Sequence, residues 1–189
     1  MWWLRMEKLN TKSINFSCRI PTDTFLILEK ESKSKSISIN SLINSILNNY
    51  VSLERHSKDI LLISLTQRTV KKIFEFMDEK NIDKLSNEVG GIVQRELALL
   101  KFGELTFENL LKSIDINASR YGSVVSSYVD PYHRLCIHHN LGINFSKFLA
   151  FTHEVMAQKL SLVLRITNCD DNIICMEIKE PTGEYFEKN

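Results

Sequence analysis

Nowhere does the chain hold the roughly 18–20 consecutive apolar residues that a helix needs to cross a bilayer. The opening Met1-Trp2-Trp3-Leu4 is apolar for four residues and then meets Arg5, Glu7 and Lys8, so the apolar stretch of a secretory signal is missing. Four cysteines, Cys18, Cys136, Cys169 and Cys175, show no Cys-x-x-Cys spacing. They read as small buried apolar residues kept reduced in a cytoplasm, without a disulfide framework. No His-Glu-x-x-His or His-x3-His pair and no Gly-x-Ser-x-Gly turn occurs, which removes the helical zinc-hydrolase and serine-hydrolase signatures. Gly90-Gly91 is not followed by Lys-Ser/Thr and reads as a turn between helices rather than a phosphate loop. With six glycines and three prolines, no loop rich in either marks a domain boundary.

What is present is an ordinary globular composition. Of 189 residues, 43% are hydrophobic and 25% charged, enough for a small module plus a domain of about 130 residues. The net charge is +1, which says nothing about partners, but its distribution is uneven. Residues 1–55 hold eight basic side chains (Arg5, Lys8, Lys12, Arg19, Lys30, Lys33, Lys35, Arg55) against five acids (Glu7, Asp23, Glu29, Glu31, Glu54). That is a mild basic bias, which a solvated helix face would also produce. The Lys33/Lys35 patch is taken as a solvated loop.

The pattern divides the chain. Residues 1–12 read as a loose leader, with Met6 as a second candidate start. From Ile14 to Ile20, apolar Ile14, Phe16, Cys18 and Ile20 alternate with polar Asn15, Ser17 and Arg19, the period of a half-buried strand. Pro21 stops it, and Thr22-Asp23 opens a helix carrying Phe25 and Leu28. Ser38 is a good N-cap for a second helix whose apolar set is Leu42, Ile43, Ile46, Leu47 and Tyr50, ending near Leu53–Arg55. The junction falls near His56–Asp59. Beyond it the reading is a short strand at Ile60–Leu65, a helix capped by Thr66 with Val70, Ile73, Phe74 and Met77, and helices at Ile82–Val89, Ile92–Phe102 and Phe107–Ile116. Strands follow at Val124–Val129 and Arg134–His139 around Asp130-Pro131. A helix at Phe145–Leu160 precedes a hairpin of Leu162–Thr167 and Ile173–Lys179, turning at Asp171-Asn172. The fold class expected is α+β: an N-terminal dimeric ribbon and two helices (13–55), then a mixed α+β domain with antiparallel strands (57–189) that binds an effector or extends oligomerisation.

A strand so short, with two small helices, cannot make a core alone. Two copies sharing a core can: the strands pair antiparallel and the four helices close over one side. The other side then faces outward, and a two-stranded ribbon fits the major groove of DNA. Arg19 can make a bidentate contact to guanine, Asn15 to adenine, and Ser17 to several bases. The second helix opens at Ser38-Ile39-Asn40, whose free N–H groups suit a phosphate and hold the register.

Residues Asn15–Val51 resemble the ribbon-helix-helix family that includes the Arc and methionine repressors. The features that carry the likeness are Arg19-Ile20-Pro21, Phe25 and Leu28, and Ser38-Ile39-Asn40-Ser41-Leu42-Ile43-Asn44. The resemblance covers about a fifth of the chain and implies the family's fold, dimerisation and ribbon reading of DNA. Two positions depart from it. Ser36 stands where members often have glycine in a left-handed turn, and Glu31 stands where an apolar residue is usual. Arg134–Leu160, with His139-Asn140-Leu141-Gly142 before a long helix, is similar to a domain that accompanies such modules in archaeal proteins, and that likeness carries no function.

His133, His138, His139 and His153, with Cys136, fall within twenty-one residues. On a strand, Cys136 and His138 share one face and His133 and His139 the other, and His153 on the following helix could approach either, whereas ligands must converge on one point. They read as surface or strand-end histidines, with no metal, cofactor or catalytic role. Phe145, Phe148 and Phe151, with Leu149, Val155, Met156 and Leu160, read as core. The expectation is a cytoplasmic, sequence-specific transcriptional regulator of prokaryotic type. It would be a homodimer or higher homo-oligomer on double-stranded DNA, without enzymatic activity or membrane association. The alternatives are an antitoxin-like protein whose C-terminal part binds a protein partner, and a ligand- or metal-sensing domain on the His/Cys cluster.

Overall fold

The computed structural model of the protein describes residues 14–15, 17–52, 55 and 64–180. The expected leader, Phe16, the junction at 56–59 and most of the strand expected at Ile60–Leu65 lie outside these, and Ser64 and Leu65 are not in a strand. By internal packing the chain divides into two compact units, residues 1–49 and 50–189.

The first unit is helical. α1 (Thr22–Ser34) starts directly after Pro21, whose ring fixes φ at −58° and whose carbonyl accepts the Phe25 N–H at 3.0 Å. Its exit is a left-handed turn at Ser36 (φ +53°). There the Ser36 N–H reaches Lys33 O at 3.1 Å and the Ile37 N–H reaches Ser32 O at 3.0 Å, so the last carbonyls are satisfied without the usual glycine. α2 (Ile39–Ser52) is capped by Ser38, whose Oγ accepts the Ser41 N–H at 3.0 Å. Glu31 reaches Lys35 Nζ at 2.6 Å along the exposed side of α1. Among the unit's described large apolar side chains only Leu42 is buried, while Phe25, Leu26, Ile27, Ile46 and Leu47 are 41–66% exposed.

One expectation is corrected here. The strand expected at Ile14–Ile20 is not formed by the described residues there: 14–15 and 17–21 are neither helix nor strand, and among the described residues every strand lies between residues 122 and 179. Alternation sorts side chains onto two faces, but a strand also needs a neighbour for its N–H and C=O groups. Among the described residues no segment pairs there.

The second unit is α+β. Helices α3 (Gln67–Glu75), α4 (Glu79–Val89), α5 (Ile92–Phe102) and α6 (Phe107–Ala118) precede β1 (Gly122–Val129) and β2 (Tyr132–His139). Then come α7 (Ile143–Lys159), β3 (Val163–Cys169) and β4 (Ile173–Lys179). These bounds lie close to those read from periodicity. Thr66, Asp78 and Thr106 cap α3, α4 and α6 with side-chain oxygens. The sheet runs β1-β2-β4-β3 and is antiparallel throughout. The β1–β2 hairpin turns at a cis Asp130-Pro131 bond, and α7 carries the chain from β2 to the far edge.

One face of the sheet supplies the core. Leu135, Ile137, Ile174, Met176 and Ile178 point inward, packed with Leu110 and Ile114 of α6 and Phe145, Leu149, Met156 and Ala157 of α7. Phe74 stands edge-on to Phe145 at 5.0 Å. The Asn144 amide donates to Phe74 O (2.9 Å) and Met77 O (3.0 Å), closing the C-terminal end of α3 from the start of α7. Gly90 and Gly91 join α4 to α5, Gly91 in the left-handed region at φ +79°. A Cβ on Gly90 would stand 2.6 Å from Val155 Cγ1 and 2.7 Å from Ser86 O.

The outward face carries a second correction. Cys136 and Cys175, 39 residues apart, stand directly opposite each other on β2 and β4 and form a disulfide, while Cys18 and Cys169 are free. Their spacing in sequence conceals this, because register alone brings them together.

Two stability predictions follow from this packing. Gly90→Ala is expected to cost about 2–3 kcal/mol through overpacking. Gly103→Ala, at φ +78° with nothing within 4 Å of the added Cβ, should cost only the backbone penalty of about 1 kcal/mol. Urea midpoints of the two variants in equal order would contradict the assigned contact. Cys175→Ser should lower stability by up to about 4 kcal/mol, the chain-entropy value for a loop of this length. The difference should vanish when both proteins are unfolded in dithiothreitol.

Candidate functional site

The six residues expected to meet DNA all lie in or beside the first unit's helix pair. Asn15, Ser17 and Arg19 are exposed, in the non-helical segment that leads into α1. At the start of α2, Ser38 and Asn40 are exposed and Ile39 is half-buried. Ser38 Oγ is occupied by the Ser41 N–H and lies 2.8 Å from Ser41 Oγ. Its carbonyl accepts the Leu42 N–H at 3.0 Å. With these two N–H groups satisfied, those of Ile39 and Asn40 remain at the positive end of a fourteen-residue helix without an intrahelical acceptor. An anion suits that position.

The histidines and Cys136 scatter in the second unit, and among the described residues no group of three or more His, Cys, Asp or Glu converges as a metal site would. His138 is exposed on the outward face beside the Cys136–Cys175 disulfide. His133 packs edge-on against Phe107 (5.3 Å) and Tyr128 (5.0 Å). His153, on α7, is 1% exposed; its Nδ1 bonds Leu149 O at 2.7 Å and its Nε2 has no partner.

His139 is the most fully committed of them. Its Nδ1 accepts the Leu141 N–H at 3.2 Å, so that nitrogen carries no proton. Its Nε2 lies 2.9 Å from Ser146 Oγ, and the Ser146 hydroxyl donates to Asp170 O. The consistent assignment is a neutral imidazole with its proton on Nε2. A serine acting as nucleophile gives its proton to the base. Here the serine proton is directed to a carbonyl and the imidazole donates to the serine, so the pair ties β2 and α7 to the β3–β4 turn. Burial holds His139 below its ordinary pKa against the opposing pull of Asp170, and burial does the same at His133 and His153.

A feature that sequence reasoning did not find is a cavity of about 540 Å³ in the second unit, bounded by the start of α3, the end of α6 and the start of α7. Asn117, Arg120 and Tyr121 enter it from the end of α6, and Gln67 from the first turn of α3. Residues so far apart in the chain carry no common spacing signal. No protein-family model matches this chain, and no relative is found among curated proteins.

The three neutral histidines set a pH response. A histidine whose folded pKa lies below its unfolded value takes up protons when the chain unfolds. Stability is therefore complete above the ordinary pKa of 6.5 and declines as pH falls through it toward the folded values. The urea midpoint is expected to fall between about pH 7.5 and 5.5, before most carboxylates titrate. His153→Gln keeps a donor for Leu149 O and should flatten the decline. A midpoint constant across this range would contradict the assignment.

Proposed function

We propose that this chain is a sequence-specific DNA-binding transcriptional regulator that acts as a homodimer through its N-terminal unit. The observation that carries the reading is a helix pair that buries one large apolar side chain, Leu42, and leaves seven others at least 41% exposed. So few buried groups fall far short of offsetting the entropy of ordering about thirty residues. A second copy supplies the missing core, since the same apolar face on both copies makes a self-complementary contact. The resemblance of Asn15–Val51 to a dimeric DNA-binding family supports the same occupant.

The polar groups on this unit fit the roles. Asn15, Ser17 and Arg19 offer hydrogen-bonding ends suited to base edges. The start of α2, at Ser38, Ile39 and Asn40, offers backbone N–H groups for a phosphate. Base contacts would specify the sequence and phosphate contacts would hold the register. The second unit has its own buried core, unlike an antitoxin segment that orders only on its toxin, so the regulator reading is favoured.

Selection of bound duplexes from a random pool, followed by fluorescence anisotropy on the enriched sequence, tests this. Arg19→Ala is expected to weaken specific binding by about 1–3 kcal/mol, and affinity should fall steeply with salt. If no duplex is enriched over the random pool, the reading fails.

A further inference from the structure

The cavity in the second unit has a lining of one electrical sense. Its described walls hold no aspartate or glutamate, and their one ionised group is Arg120. That guanidinium forms no ion pair among the described residues. The other polar lining residues are Ser64, Gln67, Asn117 and Tyr121, which carries a hydroxyl. Burial raises the Tyr121 pKa, so this hydroxyl keeps its proton and can donate.

The start of α3 adds to the same sign. Thr66 accepts the Thr69 N–H through Oγ1 and the Val70 N–H through its carbonyl. The N–H groups of Gln67 and Arg68 are left without an intrahelical acceptor, at the positive end of the helix whose first residue lines the cavity. The floor is apolar: Val70, Leu141 and Phe145, with the Tyr121 ring set edge-on to Phe145 at 5.2 Å. The volume lies within the range of about 300–1,000 Å³ usual for small-ligand sites. The neighbouring cavity of about 390 Å³ mixes Lys71 with Glu75 and Asp171 and has no such bias.

We propose that this cavity binds a small organic monoanion, a carboxylate with a compact apolar or aromatic tail, its charge on Arg120 and its tail over Phe145 and Leu141. One guanidinium with neutral donors matches a single negative charge, whereas a phosphate dianion calls for further cations. The apolar floor discriminates against acids with no tail.

Calorimetric titration of the full chain with phenylacetate, phenylacetamide and acetate, without DNA, tests the proposal. Phenylacetate should saturate one site per chain in the millimolar range or below. The amide and acetate should each bind at least about tenfold more weakly, the amide because it forfeits the charge-assisted hydrogen bond. Arg120→Gln, at an exposed position, should impose the same loss with an unchanged thermal melt. Gln67→Trp, also at an exposed position, should block the mouth and abolish binding. The proposal is overturned if phenylacetate does not saturate, if the amide or acetate binds as tightly, or if Arg120→Gln binds like the parent. Since no DNA is present, such a failure leaves the reading of the N-terminal unit untouched.

Discussion

A four-stranded sheet with one apolar face must have something laid across it, and α7 meets that requirement. Ile137, Ile174, Met176 and Ile178 lose all contact with water, each worth about 1.5–3 kcal/mol in burial. This requirement fixes α7, and α7 then fixes much else. Phe145 at its first turn meets Phe74, Tyr121 and His139. Asn144 closes the end of α3, and Ser146 anchors the β3–β4 turn. Val155, three turns on, presses against Gly90, which sets where α4 can give way to α5.

How much of this was legible depends on the range of the signal. Helices declare themselves through local spacing and caps, so the bounds read for α5 agree to the residue and Thr66 is the cap of α3; β4, set by its turn, agrees as closely. The hairpins followed from strand-like runs broken by turn residues. What escaped depends on register or on convergence. Cys136 and Cys175 meet only because β2 pairs with β4 in one register. Asn144 looks like any polar residue at a helix start until α3 is packed beside it. Arg120 reads as one more surface charge until Gln67 and Phe145 frame it.

The N-terminal segment failed differently. Its alternation in sequence is stricter than that of β4, where Ile173, Ile174, Cys175 and Met176 are apolar in succession. In β4 the odd and even positions separate into a buried and a half-buried row because two neighbouring strands hold it. At Ile14–Ile20 the alternation is real but no ladder accompanies it, and the described side chains on both rows are exposed. Period two specifies the chemistry of two faces and is silent about whether a partner strand exists.

The contrast between the units bears on how each one responds to change. In the second unit, a contiguous apolar core is buried within the chain, so a substitution against it such as one at Gly90 acts on folding directly. In the first, Phe25, Leu26, Ile27, Ile46 and Leu47 stay largely in contact with water. On the proposed dimer reading, much of that unit's stability comes from association and rises with protein concentration, as linkage requires. A substitution on that apolar face would then weaken dimerisation, and with it DNA binding, without touching any residue that meets a base.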